Sequence, residues 1–275
     1  MTIRIVFRIG TILIGFVFLM AVHAGAAEQI RIDGSSGVRP LAKALSEAYQ
    51  KKQAGVEIKI GKGMKTKARI RALADGKINI ATASHGINRK RFSERGLVVH
   101  RFAKMAVVFG VNSGVPVKNL TDQQICGIYT AKITDWKQLG LPALRVAPRT
   151  RPDDEVDAEV ARSKIACLKK LKMAKTVKVM PKSGRMAREL ASTSGAIGMT
   201  TMVRVRRSKG KIKAVSLNGI APSAENMKNG RYSLTRDAFL VTRAKPSTAV
   251  TKFLKFIRSP EGEKVIIENN AAPAN

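Results

Sequence analysis

Apolar positions along the chain switch repeatedly between a period of two and a period near 3.6. Residues 29–32 alternate as a short strand, and after the small-residue turn GSSGVRP (34–40), Leu41, Ala44, Leu45 and Ala48 recur at helical spacing. Residues 56–60 alternate again, 68–74 read as a helix stopped by Asp75-Gly76, and 78–83 form a continuous apolar run suited to a buried strand. Further strands are expected at 98–102, 105–111, 144–147, 177–180, 196–199 and 238–242. Helices are expected at 120–130, where Thr121 is placed to cap, and at 185–192 and 248–257. A long helix opened by Pro152 would carry Val156, Val160, Cys167, Leu168 and Leu171 on one apolar stripe. Strands alternating with helices predict an α/β fold with largely parallel pairing.

The first residues break this pattern. Arg4 and Arg8 precede an apolar run over 9–22, and Ala24-Gly25-Ala26-Ala27 follows with small residues suited to cleavage. A basic start, a short apolar run and a small-residue site describe a secretory signal peptide over 1–27. The run falls short of the roughly 20 apolar residues that span a bilayer. Export to the periplasm or another extracytoplasmic compartment is therefore expected, and no later stretch is apolar enough to cross a membrane.

Composition changes the picture through charge. The 275 residues carry 51 Lys+Arg against 19 Asp+Glu, a net of +32, with 44% hydrophobic residues. That hydrophobic share supports a sizeable core, so the excess does not come from a disordered basic tail. Outside the cytoplasm the field finds no chromosomal DNA or messenger RNA, which argues against intracellular nucleic acid as partner. Two cysteines exclude a disulfide scaffold, and three histidines leave little for a multi-ligand zinc site, so no cofactor or metal is expected. Cys126 and Cys167 can pair in an oxidising compartment, and a small buried thiol accounts for Cys167 equally well. The charge is uneven: 160–224 holds sixteen Lys/Arg and one acid, Glu189, whereas 153–159 holds Asp153, Asp154, Glu155, Asp157 and Glu159.

Two motifs suit an anion. In GSSGVRP, small residues precede a helix start, whose free N–H groups and positive dipole end attract an oxyanion; Ser35 and Ser36 add hydroxyls and Gly37 permits close approach. In NIATASHG (79–86) a buried strand ends at Ser84 and His85, and strand carboxyl ends are where open α/β sheets place ligands. An ordinary serine-capped turn explains the first motif as well.

From these residues onward the sequence resembles the periplasmic phosphate-binding proteins that serve ABC transporters. GSSGVRPLAKALSEAYQ is similar to that family's opening loop and first helix, and DGKINIATAS (75–84) to its second ligand strand. VVFGVNSGVPVKNLTDQQICGIYTAKITDWKQLG (107–140) is the most specific match; GAIGM (195–199) and FLKFIRSPEGEKVI (253–266) follow in the family's order. The resemblance implies a two-lobe periplasmic solute-binding fold (type II), each lobe a mixed sheet flanked by helices. Lobe 1 would comprise 28–104 plus 238–275 and lobe 2 105–237, closing by hinge motion on a ligand in the cleft. It also implies a small oxyanion, phosphate by family default, an ABC permease as partner, and a monomer. Carried over position by position, Ser36, Gly37, Ser84 and Arg149 would bind the anion, with Ser35 and His85 beside them.

Two departures bear on the ligand. Where the family has a Gly-Ser-Gly-Thr-like turn, this chain has Pro152-Asp153-Asp154-Glu155, and the family's usual Thr is replaced by Gly37. Asp153 and Asp154 would either repel a dianion or accept the proton of monohydrogen phosphate. No catalytic role is expected: Ser84 and His85 are neighbours on a strand and point to opposite faces, and no P-loop or dinucleotide fingerprint occurs. The reading from another class is an exported protein that binds polyanions, such as cell-surface polymers or extracellular DNA, through 160–224 with a degenerate cleft.

Overall fold

A computed structural model describes residues 28–85 and 87–274; the expected leader at 1–27 lies outside the described residues. β1 (Glu28–Gly34), α1 (Arg39–Lys52), β2 (Val56–Ile60), α2 (Thr66–Ala74), β3 (Ile80–Ala83) and α3 (Arg89–Ser93) alternate as the periodicity requires. A 16-residue strand, β4 (Leu97–Asn112), then leads into β5 (Asn119–Leu120), α4 (Asp122–Tyr129), β6 (Ala147–Thr150), α5 (Val156–Lys164), β7 (Lys178–Val179) and α6 (Ser183–Ser192). β8 (Ala196–Thr201), α7 (Met202–Arg206), β9 (Ile212–Ala214), β10 (Ser216–Leu217) and α8 (Ala224–Lys228) follow. β11 (Thr235–Arg243), α9 (Thr248–Ile257), α10 (Pro260–Glu268) and β12 (Ala271–Pro273) close the chain.

The main sheet runs β2-β1-β3-β11-β4-β8-β6-β7. Pairing is parallel at both flanks, β2-β1-β3 and β8-β6-β7, and antiparallel in the middle, where β4 and β11 run against each other and against their neighbours. The sheet is thus mixed rather than largely parallel. Strands expected separately at 98–102 and 105–111 are one strand, because Lys104 does not interrupt it. β4 pairs with β11 up to Ala106 and with β8 from Val107.

The core changes at the same place. Met105 packs with Ile30, Ile32, Leu41, Leu45 and Phe253, whereas Ala106 and Val107 pack with Ile125, Tyr129, Trp136 and Ile197. Each half therefore has its own apolar core, which gives the two-lobed α/β architecture. In the first half α1 buries Leu41, Leu45 and Tyr49 in one core with Ile30 and Ile32 of β1, and the Tyr49 ring lies 5.2 Å from both Phe253 and Phe256 of α9. In the second, Trp136 is fully buried and donates Nε1–H to the Gly195 carbonyl at 3.2 Å.

The helix expected from Pro152 begins only at Val156 and stops at Ile165, whose φ of −104° and ψ of 106° are not helical. A short turn over Ala166–Leu168 follows, and Cys167 is exposed there rather than on an apolar stripe. It is bonded to Cys126 of α4 as a disulfide, so the open choice between thiol and disulfide falls to the disulfide.

Candidate functional site

Backbone geometry assembles the first wall of the cleft. Gly34 ends β1 at φ +134°, and a Cβ there would stand 2.3 Å from the Thr82 carbonyl oxygen, so only glycine lets the ends of β1 and β3 meet. The Asp33 carboxylate accepts from the Gly34 N–H at 2.6 Å and the Gly63 N–H at 2.8 Å, tying the 61–63 turn to the loop that leads into α1. The result is a cavity of about 470 Å³, lined on this side by the Gly34, Ser35 and Ser36 loop, by 62–67, and by Arg69 and His85. The other half contributes Asp154, Glu155, Pro181 and Lys182.

Helix ends point to what the cavity holds. The starts of α2, α5 and α6 are marked by Lys65, Glu155 and Lys182, all in the cavity lining, and none of these three helices has a side-chain N-cap. α1 starts at Val38, outside the lining, and gives its Arg39 and Leu41 N–H groups to the carbonyls of Ser35 and Val38, while each remaining α-helix among the described residues is capped, by Asn88, Thr121, Thr201, Ser223, Ser247 or Ser259. Uncapped first turns leave N–H donors and a positive dipole end to be satisfied from outside the helix, and here three such ends converge.

Buried cations add to that field. Arg69 is only 2% exposed, donates Nη2–H to the His85 carbonyl at 3.1 Å, and has no partner for its Nε–H among the described residues. Burial lowers its pKa to about 10, opposed by the charge of Glu155, so it stays charged at neutral pH. Arg204, on α7, donates to the Ser36 carbonyl at 2.9 Å and to Ser183 Oγ at 3.3 Å, bridging the two halves. Burial lowers its pKa to about 10 as well, with Arg39 adding to the effect. Among the described residues neither guanidinium has a carboxylate within 4.0 Å.

Deeper in the cleft the cations are already paired. Arg236 donates Nη1–H to Asp157 Oδ1 and its Nε–H to Ser84 Oγ at 2.7 Å, while Ser84 donates to the Asp237 carbonyl. Arg151 reaches Asp157 Oδ2 at 3.7 Å, Glu155 at 2.9 Å and the Met180 carbonyl. A Cβ on Gly37 would stand 2.8 Å from Arg236 Nη2. Glycine is there because a guanidinium fills the space a side chain would take.

Of the residues expected from sequence, Ser35, Ser36, His85 and Asp154 line the cavity. Gly37 and Ser84 lie against Arg236, behind it. Arg149 is not brought to the cavity: its stem crosses Gly198, and its Nε–H is held at 3.2 Å by Glu189, the single acid of the basic 160–224 tract. Asp153 faces solvent and pairs with Arg162 at 2.8 Å. Arg69, Arg204, Arg236 and Asp157 were missed. For Arg69 a signal existed: it stands at the i, i+3, i+4 spacing of Ala72 and Leu73 on the buried face of α2, an unusual place for a charge.

Two of the three histidines, His85 and His100, give a pH dependence. Burial, and then the charge of Arg69, pushes His85 below its ordinary 6.5; burial, and then Arg258, does the same to His100, which contacts Thr242 Oγ1 at 3.0 Å. The unfolded chain therefore binds more protons just below pH 6.5, and stability falls as pH drops through that value. Urea midpoints at pH 7.5 and 5.5 should differ in that sense, and His85→Asn with His100→Asn should flatten the difference.

Two lobes joined through long strands, with uncapped helix ends and excess buried cations between them, define a solute-binding protein with an anion-seeking cleft. The chain belongs to the family described as the PBP superfamily domain, whose model matches residues 21–261. It is 24% identical over 243 residues to the phosphate-binding protein PstS of Bacillus subtilis, covering 88% of this chain and 79% of that one. Among solved structures it is similar to a putative phosphate ABC transporter substrate-binding protein with bound phosphate from Clostridium perfringens. There the TM-score is 0.73 at 25% identity, over 90% of this chain and 100% of the other. An ABC-type phosphate transport receptor from Vibrio cholerae matches at a TM-score of 0.58 and 25% identity, over 88% and 99% of the two chains.

Proposed function

We propose that this protein is an extracytoplasmic solute-binding protein that captures a phosphate oxyanion for an ABC importer and performs no catalysis. The observation that carries the reading is the convergence of three uncapped helix starts and the buried Arg69, whose Nε–H has no partner among the described residues, on one cavity between the lobes. A desolvated oxyanion there would accept from those donors and offset buried positive charge that the protein leaves unpaired. The relatives' names and the bound phosphate in the Clostridium structure support phosphate as the ligand. Lobe 1 as 28–104 plus 238–275 and lobe 2 as 105–237 would close about β4 and β11, a division supported by the change of core between Met105 and Ala106. The leader at 1–27 would deliver the chain, as a monomer, to its permease.

The site differs from the one carried over by resemblance, with Arg69 in the role expected of Arg149. Arg69→Gln is expected to weaken orthophosphate binding by at least about tenfold in titration calorimetry, and Arg149→Gln to change it by less than about threefold. The opposite ranking would return the anion to Arg149.

A further inference from the structure

Resting on that reading, we infer that the cleft is built for an anion with two or more phosphoryl groups rather than for orthophosphate alone. The first ground is space. The cavity of about 470 Å³ falls within the range of about 300–1,000 Å³ typical of organic-ligand pockets. A water molecule claims about 30 Å³, and one tetrahedral oxyanion only a few times that. The second ground is what already fills the interior. The pair Arg236–Asp157 stands between Gly37 and Ser84, with Arg151 on the other carboxylate oxygen, so protein groups satisfy one another where a small desolvated anion would otherwise sit. The open volume lies outward of that pair.

The third ground is the number and origin of the cations around this outer volume. Lys62, Lys65, Lys67 and Arg69 come from the turn before α2 and its first turns, and Lys182 from the start of α6 across the cleft. Against these five stand Asp154 and Glu155, and Glu155 is already engaged by Arg151. A diphosphate or a bisphosphorylated organic molecule could place one phosphoryl group near Arg69 and another near Lys182, and so answer more of these cations than a single dianion does. Linked groups would also draw the lobes together by contacting both at once.

The test is titration calorimetry of the full chain with orthophosphate, diphosphate, tripolyphosphate and fructose 1,6-bisphosphate. Diphosphate or tripolyphosphate should bind at least about tenfold more tightly than orthophosphate, and Lys62→Gln with Lys182→Gln should narrow that ratio to about threefold or less. Fructose 1,6-bisphosphate matching or exceeding diphosphate would support the inference and name an organic source; a clear lead of the inorganic chains would support it and name condensed phosphate. Orthophosphate binding as tightly as every multiphosphoryl probe would overturn this inference and leave the functional reading intact. Absence of binding by all four would overturn both.

Discussion

Asp157→Ala is expected to destabilise the protein by about 3–5 kcal/mol, the usual cost of removing one partner from a buried ion pair. The carboxylate is 2% exposed and faces Arg236 through one oxygen and Arg151 through the other. Deleting it leaves two guanidiniums in a space that water reaches poorly, and their mutual repulsion adds to the desolvation cost. Urea unfolding at neutral pH measures the loss. The same variant should gain more stability from added orthophosphate than the wild type does, because an anion can then take the carboxylate's place. A loss under about 1 kcal/mol would mean that Asp157 and Arg236 do not form the internal pair described here.

The second large effect concerns the disulfide. Cys126 and Cys167 are 41 residues apart, and cross-linking a loop of that size restricts the unfolded chain by about 4 kcal/mol in the chain-entropy model. The bond ties α4 to the turn that ends α5, so it also holds the helix whose first turn supplies Glu155 and Asp157. Cys126→Ala with Cys167→Ala should lower the urea midpoint by a corresponding amount, and reduction of the wild type should reproduce the shift. Orthophosphate affinity is expected to fall less than stability, since neither cysteine lines the cavity. An unchanged midpoint would show that the unfolded chain is not restrained by the bond.

Much of the fold was legible because burial imposes periodicity. The alternation of Ile30 and Ile32, the helical spacing of Leu41 and Leu45, and the Thr121 cap each read correctly from local residues. What local pattern could not supply was pairing direction. β4 and β11 run antiparallel at the centre of the sheet because they carry the chain between lobes, and nothing within either segment encodes its neighbour. The helix after Pro152 was misplaced for a related reason. Its apolar spacing continued to Leu171, but Arg162 turns back onto the carbonyls of Leu168 and Leu171 and the chain leaves helical geometry at Ile165.

The site was legible in its loops and not in its charges. Ser35, Ser36 and His85, suggested by a glycine-rich turn and a strand end, and Asp154, suggested by the acidic turn after Pro152, stand in the cavity lining. Arg149 was misplaced because its partner, Glu189, lies on α6 across a strand, a contact of sequence separation 40. Arg236 and Asp157 are 79 residues apart and meet only in the folded chain. Gly37 was the one local clue, since a missing side chain in a crowded loop implies that another group fills the space. The +32 charge also changes meaning: Arg204, in the densest part of the basic tract, reaches the Ser36 carbonyl instead of solvent, and Glu189 is spent on Arg149.

The central claim is that a small phosphate anion binds between the lobes in one-to-one stoichiometry. Calorimetric titration of the protein with orthophosphate at low and high salt, with heparin as a parallel titrant, tests it most directly. Orthophosphate should saturate one site per chain and remain bound at high salt, because its main contacts are buried donors screened little by ions. No orthophosphate binding at either salt concentration, together with heparin binding that weakens steeply with salt, would contradict the account and assign the protein to polyanion binding through its basic surface.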